Sequence, residues 1–404
     1  MTPTTSPPRA FRTVWWFALA RLAGNTFLRF PFLFITPIAA GLHTDIATVT
    51  ALLGVRELGG LAAPVFGRFN DDGHAKLALA WGAVVASVAC MAAPFGSNRW
   101  WFVAAITVAG VAKVGIDVIQ IAWIGGHLRD HDRTRATALL EVSWAGGFLL
   151  GAPILGVVIQ HAGWQWSFVA CGAVIAVLGL LATRHVADRD QHLAAAVHQH
   201  GEHSTDAHVR SRWFRPAMLA YCMTQPAAQV MLFGVVGDWF AVNFSMSSQA
   251  IGLATIALGV GELGATIATI WVVRRFGDER SAIAGMVLVL PASLALLAVS
   301  SSFGLALCAI LVVDIGLELS FVTAVAMLSD MLPLQRGKAV GQAFAVLTVS
   351  RAVGSAVAGR IYAAGDFGGS AIATTVLSSV CALALWLGTR TSHHQLDPRA
   401  AHVG

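Results

Sequence analysis

Charged side chains stand inside several of the long apolar runs of this 404-residue chain. Lys113 and Asp117 lie in the run VAGVAKVGIDVIQIAWIGG at a spacing of four, so they share a helical face and can pair. Because a charge in hydrocarbon is costly unless it faces protein or water, such residues are candidates for substrate binding and proton transfer. We predict that Lys113 contacts the substrate and that Asp117 takes part in proton coupling.

Two other apolar runs carry polar residues at the same spacing. Arg21, Asn25 and Arg29 recur every four residues and therefore share a face of one helix. Gln225 and Gln229 stand at the same interval further along, and their uncharged amides are suited to hydrogen-bonding a substrate. The spacing predicts that all five residues contact the substrate.

A fourth run carries two carboxylates on one face, Asp314 and Glu318. Two like charges so close together are relieved when one carboxyl takes up a proton or a cation intervenes. We therefore predict that this pair carries the coupled proton. Glu57, Glu262 and Arg351 have a plainer interpretation as internal ion pairs, since buried pairs commonly fix geometry.

The composition indicates a polytopic membrane protein. Hydrophobic residues make up 56% of the chain and charged residues only 12%, against about 25% charged in soluble proteins. A helix needs roughly 20 apolar residues to cross the bilayer. The sequence predicts an all-α protein with twelve transmembrane spans, at residues 13–39, 46–68, 76–95, 99–126, 134–162, 165–184, 213–240, 248–273, 281–300, 303–331, 338–363 and 369–389.

The distribution of basic residues predicts the orientation of these spans. Lys and Arg concentrate in the N-terminus, the even-numbered connections and the C-terminus, so the positive-inside rule places both termini in the cytoplasm of a protein integral to the plasma (inner) membrane. The net charge of +5 is thus explained without a nucleic-acid partner. The five cysteines are scattered singly through apolar spans, which favours packing over a disulfide or redox role.

The longest polar interval divides the apolar runs into two sets of six. We predict an N-terminal half at residues 1–184, a cytoplasmic linker at 185–212 and a C-terminal half at 213–404. The halves repeat, because Glu57-Leu58-Gly59 of the second span corresponds to Glu262-Leu263-Gly264 of the eighth. The linker is rich in histidine, which leaves open a metal-sensing loop, although its spacing fits no closed tetrahedral metal site.

The fifth span carries a glycine pattern that identifies a family. Gly147-x-x-x-Gly151 with Gly156, followed by the exit GWQWSF, resembles the major facilitator superfamily of secondary transporters and its antiporter-associated fifth helix. In the family pattern a proline directly follows the second glycine, whereas here Ala152 intervenes and Pro153 is displaced by one residue. These small residues also let two transmembrane helices approach closely.

A second signature of that family lies in the loop after the second span. The family pattern is glycine, three residues, aspartate, arginine, any residue and glycine, and this chain has Gly67, Asp71 and Gly73. Asp72 replaces the arginine, and the spacing is one residue short. The resemblance gives these residues, together with the glycines of the fifth span, a role in gating or structure.

The resemblance implies a twelve-helix transporter of two pseudo-symmetric six-helix halves that works by alternating access. Spans one, four, seven and ten of that fold line the cavity, whereas spans three, six, nine and twelve, which carry no charge here between their end residues, form the outer support. It implies a small-molecule substrate, protons and the lipid bilayer as partners, and a monomer without a cofactor.

We predict proton-coupled efflux of a small organic compound, similar to drug/proton antiporters. The alternative within transporters is proton-coupled uptake of an anionic nutrient, which the two arginines of the first span favour. The alternative of another class is a membrane sensor that uses the histidine-rich loop. An enzyme is not expected, because the sequence has no metal motif, nucleophile elbow or phosphate loop.

Overall fold

The computed structural model describes residues 7–66, 74–96, 98–128, 130–186, 212–331 and 336–394. Within these ranges every regular element is helical. The first span consists of two helices, Pro7–Leu33 and Ile35–Gly41, which meet at an angle of 74°. Pro31 lies inside the last turn before the bend, where it has no N–H to continue the backbone hydrogen bonds.

Helices for the second to sixth predicted spans follow in order. The second, Ile46–Glu57, continues through a 3-10 turn, and the fifth is interrupted by the π-helical turn Gly147–Gly151. Their helices are Ile46–Glu57 with Leu58–Ala62, Ala75–Ala92, Arg99–His127, Asp130–Gly146 with Ala152–Ala162, and Trp164–Thr183.

Helices for the seventh to twelfth predicted spans come next. The seventh span is again made of two helices, and the eleventh and twelfth form one 59-residue run whose backbone is non-helical at Gly365 and Asp366. The helices are Phe214–Phe233 with Val236–Asn243, Ser248–Phe276, Asp278–Ala295, Phe303–Met327 and Arg336–His394.

The helices of the described ranges account for the predicted membrane fold. Nine of them are long and apolar enough to cross a bilayer, and the bent first pair raises that number to ten. The long run Ala339–Arg390 divides at Gly365, and the 18-residue helix Asp278–Ala295 occupies the place of the ninth span. The described helices therefore follow the predicted order of twelve spans, and the prediction of an all-helical membrane protein is confirmed.

Local sequence explains where several helices begin and end. Asp45 accepts a hydrogen bond from the Thr48 N–H at 2.6 Å and so caps the second span. The same hydrogen bond holds the pKa of Asp45 below its usual range. Asn98 caps the fourth span in the same way. Gly163, at φ 95°, makes the sharp turn between the fifth and sixth spans that most side chains would oppose.

The helices group into two compact units. One comprises Met1–His203 and Gly237–Gly259, and the other comprises Ser204–Val236 and Val260–Gly404. We call them the first and second unit. The predicted linker at 185–212 and the halves on either side of it remain a prediction.

An aromatic cluster fixes the first, fourth and sixth spans against one another in the first unit. The Phe168 ring packs edge-on against Phe30 at 4.8 Å and Phe102 at 5.6 Å between ring centroids. Trp164 also packs edge-on against Phe102 of the fourth span and Phe168 of the sixth span. Edge-to-face rings stabilise contacts beyond their buried area, so the motif GWQWSF anchors the start of the sixth span.

Candidate functional site

The polar face of the first span meets the fifth span. Arg21 Nη2 lies 3.4 Å from Glu141 Oε1, and Asn25 Nδ2 donates to Ser143 Oγ at 3.2 Å. One turn further, Arg29 Nη1 donates to the Trp144 carbonyl at 3.0 Å. The side chains of Arg21, Asn25 and Arg29 therefore point to a common neighbour, as their spacing predicts.

The fourth span completes an ionic cluster with Arg21. Lys113 Nζ lies 2.5 Å from Asp117 Oδ2, and Arg21 Nε lies 3.9 Å from Asp117 Oδ1. We use "ionic cluster" for the linked residues Lys113, Asp117, Arg21 and Glu141. A Cβ added to Gly24 would lie 3.0 Å from Lys113 Cγ, so this glycine leaves room for the lysine stem.

Burial is graded along the ionic cluster. Lys113 is buried, Arg21 and Asp117 are largely buried, and the Glu141 side chain is 45% exposed. Arg29 is also buried, with its guanidinium 3.3 Å from the Phe148 ring centroid. Charges with little water around them interact strongly with a ligand.

Several buried polar atoms beside the cluster have no hydrogen-bond partner among the residues that the structure describes. They are Arg21 Nε and Nη1, Asn25 Oδ1, both amide atoms of Gln120, and Trp123 Nε1. Gln120 was missed by our sequence analysis. The signal that could have found it is its spacing, since it follows Lys113 and Asp117 at i+7 and i+3 on one face of an apolar helix.

The predicted proton carriers belong to the second unit. Asp314 is buried at 1% exposure, and Glu318 is half-buried and accepts a hydrogen bond from Thr266 at 3.4 Å. Buried Gln225 donates to the Leu317 carbonyl at 3.5 Å, which places the seventh span against the same helix. Gln229, one turn on, is half-buried.

The residues interpreted as structural differ in their surroundings. Arg56 is fully buried and donates to Glu57 at 2.6 Å and to the Leu28 carbonyl at 2.8 Å, so this pair fastens the second span to the first. Glu262 is buried and Arg351 is half-buried in the second unit.

The glycines of the fifth span allow close contacts on two sides. A Cβ on Gly147 or Gly151 would meet the first span, in the second case at 2.1 Å from Thr26 Oγ1. A Cβ on Gly156 would lie 2.6 Å from the Ser248 carbonyl oxygen, and one on Gly252 would lie 3.1 Å from Pro153 Cα. The helix approach predicted from small residues is thus present, and a π-helical turn ends just before Pro153.

Some predicted features lie outside the described residues. They are Gly67, Asp71 and Gly73 of the loop signature and residues 187–211, which hold most of the histidine-rich linker. Within the described part of the chain, no group of three or more His, Cys, Asp or Glu residues could hold a metal ion. All five cysteines are free, and all but Cys308 are buried.

The sequence and the fold both match one large class of membrane transporters. A sequence model of the Major Facilitator Superfamily matches residues 16–236 and 217–402. These matches cover most of the chain, which therefore belongs to the major facilitator superfamily, as its glycine pattern predicted. The protein is a secondary transporter of that type, integral to a membrane, and not an enzyme.

Two curated relatives match part of the chain. The niacin transporter NiaP of Acinetobacter baylyi is 30% identical over 138 residues, or 34% of this chain and 30% of that protein. The uncharacterized MFS-type transporter YybF of Bacillus subtilis is 26% identical over 161 residues, or 38% of either chain. The matches thus span only 30% and 38% of the relatives' length.

Solved structures match nearly the whole chain. A D-xylose-proton symporter superposes with a TM-score of 0.76 at 18% identity, covering 96% of this chain and 99% of that one. A bacterial homolog of the human lysosomal transporter Spinster, in an inward-facing and occupied conformation, also gives 0.76, at 13% identity and with 96% and 98% coverage. At these identities the likeness establishes the fold alone.

Proposed function

We propose that this transporter moves a small organic anion into the cell together with protons. The observation that carries the proposal is Arg21, which is largely buried beside Asp117 and Glu141 in the first unit. Its Nε and Nη1 have no hydrogen-bond acceptor among the described residues. A guanidinium with unused donors fits an anion such as a carboxylate.

The charge balance of the site supports the same substrate class. Arg21, Arg29 and Lys113 contribute three cations, whereas Asp117 and Glu141 contribute two carboxylates. Three neighbouring cations favour an anion over a cation as the ligand. One relative is named as a niacin transporter. Niacin is a small aromatic carboxylic acid and therefore belongs to this substrate class.

Protons are needed because the membrane potential opposes entry of an anion. Each negative charge moved against it costs about 2.3 kcal/mol per 100 mV. An accompanying proton cancels that charge, and we assign its transfer to Asp314 and Glu318 of the tenth span. Asp117, which lies between Arg21 and Lys113, is the group through which binding and protonation would affect each other.

Uptake into proteoliposomes with an imposed pH gradient tests the proposal. Nicotinate, a sugar and an organic cation serve as probes, with internal pH and labelled substrate followed together. We expect nicotinate to enter with protons, and Arg21→Gln to reduce its apparent affinity by about tenfold or more, the equivalent of one charged hydrogen bond. Arg99→Gln is the matched control, because it removes an exposed arginine that stacks on Trp100 outside the site.

The proton carriers have their own test. In Asp314→Asn or Glu318→Gln, nicotinate exchange should persist while net proton movement is lost. If only the organic cation moved protons, in the direction opposite to its own flux, efflux of a cationic compound would replace our proposal. If Arg21→Gln and Arg99→Gln behaved alike, the anion site would lie elsewhere.

We also propose that both termini face the cytoplasm and that the protein is a monomer of the inner membrane. The distribution of Lys and Arg in the connecting segments supports this orientation. A reporter fused to the C-terminus that is active only in the cytoplasm tests it. Activity only of a periplasmic reporter would reverse the topology.

A further inference from the structure

Gln120 is a buried amide that the ionic cluster does not use. It is 0% exposed, and neither its Nε2 nor its Oε1 has a hydrogen-bond partner among the described residues. Burying such a group without a partner is unfavourable in proteins. A ligand that supplies the missing partners would explain why a polar residue occupies this position.

The position of Gln120 follows from its helix. Lys113, Asp117 and Gln120 recur at i, i+4 and i+7, so they lie on one face of the fourth span. Two contacts place this part of the helix along the first span. Gly24 lies against the Lys113 stem, and the Phe17 ring packs edge-on against Trp123 at 5.3 Å between ring centroids. Gln120 thus lies between the Arg21–Asp117 pair and Trp123.

Trp123 adds a second donor on the same side. It is 6% exposed, its Nε1 has no acceptor in the described part of the chain, and its ring stacks on His127 at 4.3 Å. The stack holds the indole in place. With a rise of about 1.5 Å per residue, Gln120 and Trp123 lie roughly 5 and 9 Å along the helix from Asp117.

The chemistry of these two side chains selects a neutral polar group. An indole N–H can only donate, whereas a glutamine amide both donates and accepts. A hydroxyl satisfies both, because it accepts from an N–H and donates to Oε1. We propose that Gln120 and Trp123 form a hydroxyl-reading subsite of the anion site, so that the preferred substrate carries an anionic group at Arg21 and a hydroxyl roughly 5–9 Å away. This inference rests on the proposed transport of organic anions.

A pair of probes that differ by one hydroxyl tests the subsite. Binding of 4-hydroxyphenylacetate and phenylacetate to the purified full-length protein is measured by calorimetry. We expect the wild type to prefer the hydroxylated anion by about tenfold or more, because a site built to hydrogen-bond a hydroxyl rejects the analogue without it. Gln120→Met removes both amide atoms at nearly constant volume and should reduce that preference to about twofold, chiefly through weaker binding of the hydroxylated probe.

Further variants keep the test independent of folding. Gln120→Asn retains the amide on a shorter stem, and Trp123→Phe removes only the indole donor, so each should lose part of the preference. Ser378→Ala is the matched control, because Ser378 Oγ is also buried without a partner among the described residues but lies in the uncharged twelfth span. It should leave both affinities unchanged.

The outcomes separate the two proposals. If both anions bind through Arg21 but without a preference, or if the preference survives in both Gln120→Met and Trp123→Phe, the hydroxyl-reading subsite is wrong and the anion site stands. If neither anion binds and Arg21→Gln changes nothing for nicotinate, the proposed function is wrong and the subsite falls with it.

Discussion

Gly237 is a position where the backbone of the seventh span touches that of the first. A Cβ added there would lie 1.9 Å from the Leu33 carbonyl oxygen, 2.4 Å from its carbon and 2.8 Å from Leu33 Cα. Because these are backbone atoms, no side chain can rotate away. The next residue, Asp238, is buried and accepts a hydrogen bond from Thr36 at 2.8 Å. Gly237→Ala must therefore displace one helix and disturb this hydrogen bond.

The cost can be estimated from this geometry. Overpacking that forces a backbone shift costs typically about 1–3 kcal/mol, and contact with three backbone atoms places Gly237→Ala near the upper value. With an unfolding entropy of roughly 2.1 cal/mol/K per residue, a loss of about 3 kcal/mol over 404 residues lowers the thermal midpoint by about 3–4 °C. Thermal unfolding in detergent, followed by intrinsic tryptophan fluorescence, measures it.

Two variants serve as controls for Gly237→Ala. A Cβ on Gly264, inside the helix Ser248–Phe276, would meet nothing within 4 Å. Gly264→Ala should therefore melt at or slightly above the wild-type temperature, because alanine favours the helix. Thr36→Val removes only the hydrogen bond to Asp238 and should lower the midpoint by about 1 °C. A Gly237→Ala protein that melts with the wild type would refute the close backbone contact.

Three further changes have definite expected signs. Arg56→Leu removes a buried guanidinium that pairs with Glu57 and donates to two backbone carbonyls, so it should destabilise the protein by about 3–5 kcal/mol in chemical denaturation, whereas equal stability would mean the pair contributes nothing. Asp45→Ala should cost about 1 kcal/mol, and Asp45→Asn should keep the cap. Since the pKa of Asp45 is lowered, the ionised carboxylate contributes its full stabilisation above its usual pKa and loses it as the pH falls through the lowered pKa. Asp45→Asn should lack this dependence of stability on pH. Asp366→Gly should raise the thermal midpoint, because Asp366 has φ 51° and ψ −160°, a backbone region suited to glycine. An unchanged midpoint would argue against backbone strain at Asp366.

The membrane fold could be predicted because its signals are local. A bilayer needs a long apolar run for each helix, so the order of spans and the break between the eleventh and twelfth, at Gly365 and Asp366, followed from composition. The 74° bend of the first span between Leu33 and Ile35 did not. Pro31 is visible in the sequence, but a proline alone does not say whether neighbouring helices straighten or bend the chain.

The site could be predicted within helices and not between them. Spacing predicted the pair Lys113–Asp117, since residues four apart on a helix are neighbours. The contact of Arg21 with Glu141 joins residues 120 positions apart, so no local pattern contains it. The buried amide of Gln120 is likewise a property of packing, because only the positions of neighbouring helices decide whether a polar atom finds a partner.

Two arginines of the first unit show how buried polar groups of a scaffold differ from those of the proposed binding site. Arg56 donates to two backbone carbonyls and to Glu57, and these acceptors hold its guanidinium in one place. Arg21 makes one long hydrogen bond, to the exposed Glu141, and keeps Nη1 without an acceptor among the described residues. A guanidinium whose two terminal nitrogens both donate to protein acceptors stabilises the fold, whereas one with a terminal nitrogen to spare loses least when a ligand arrives. The substrate site should therefore be sought at Arg21 and not at Arg56, although both are intramembrane arginines and the sequence alone treats them alike.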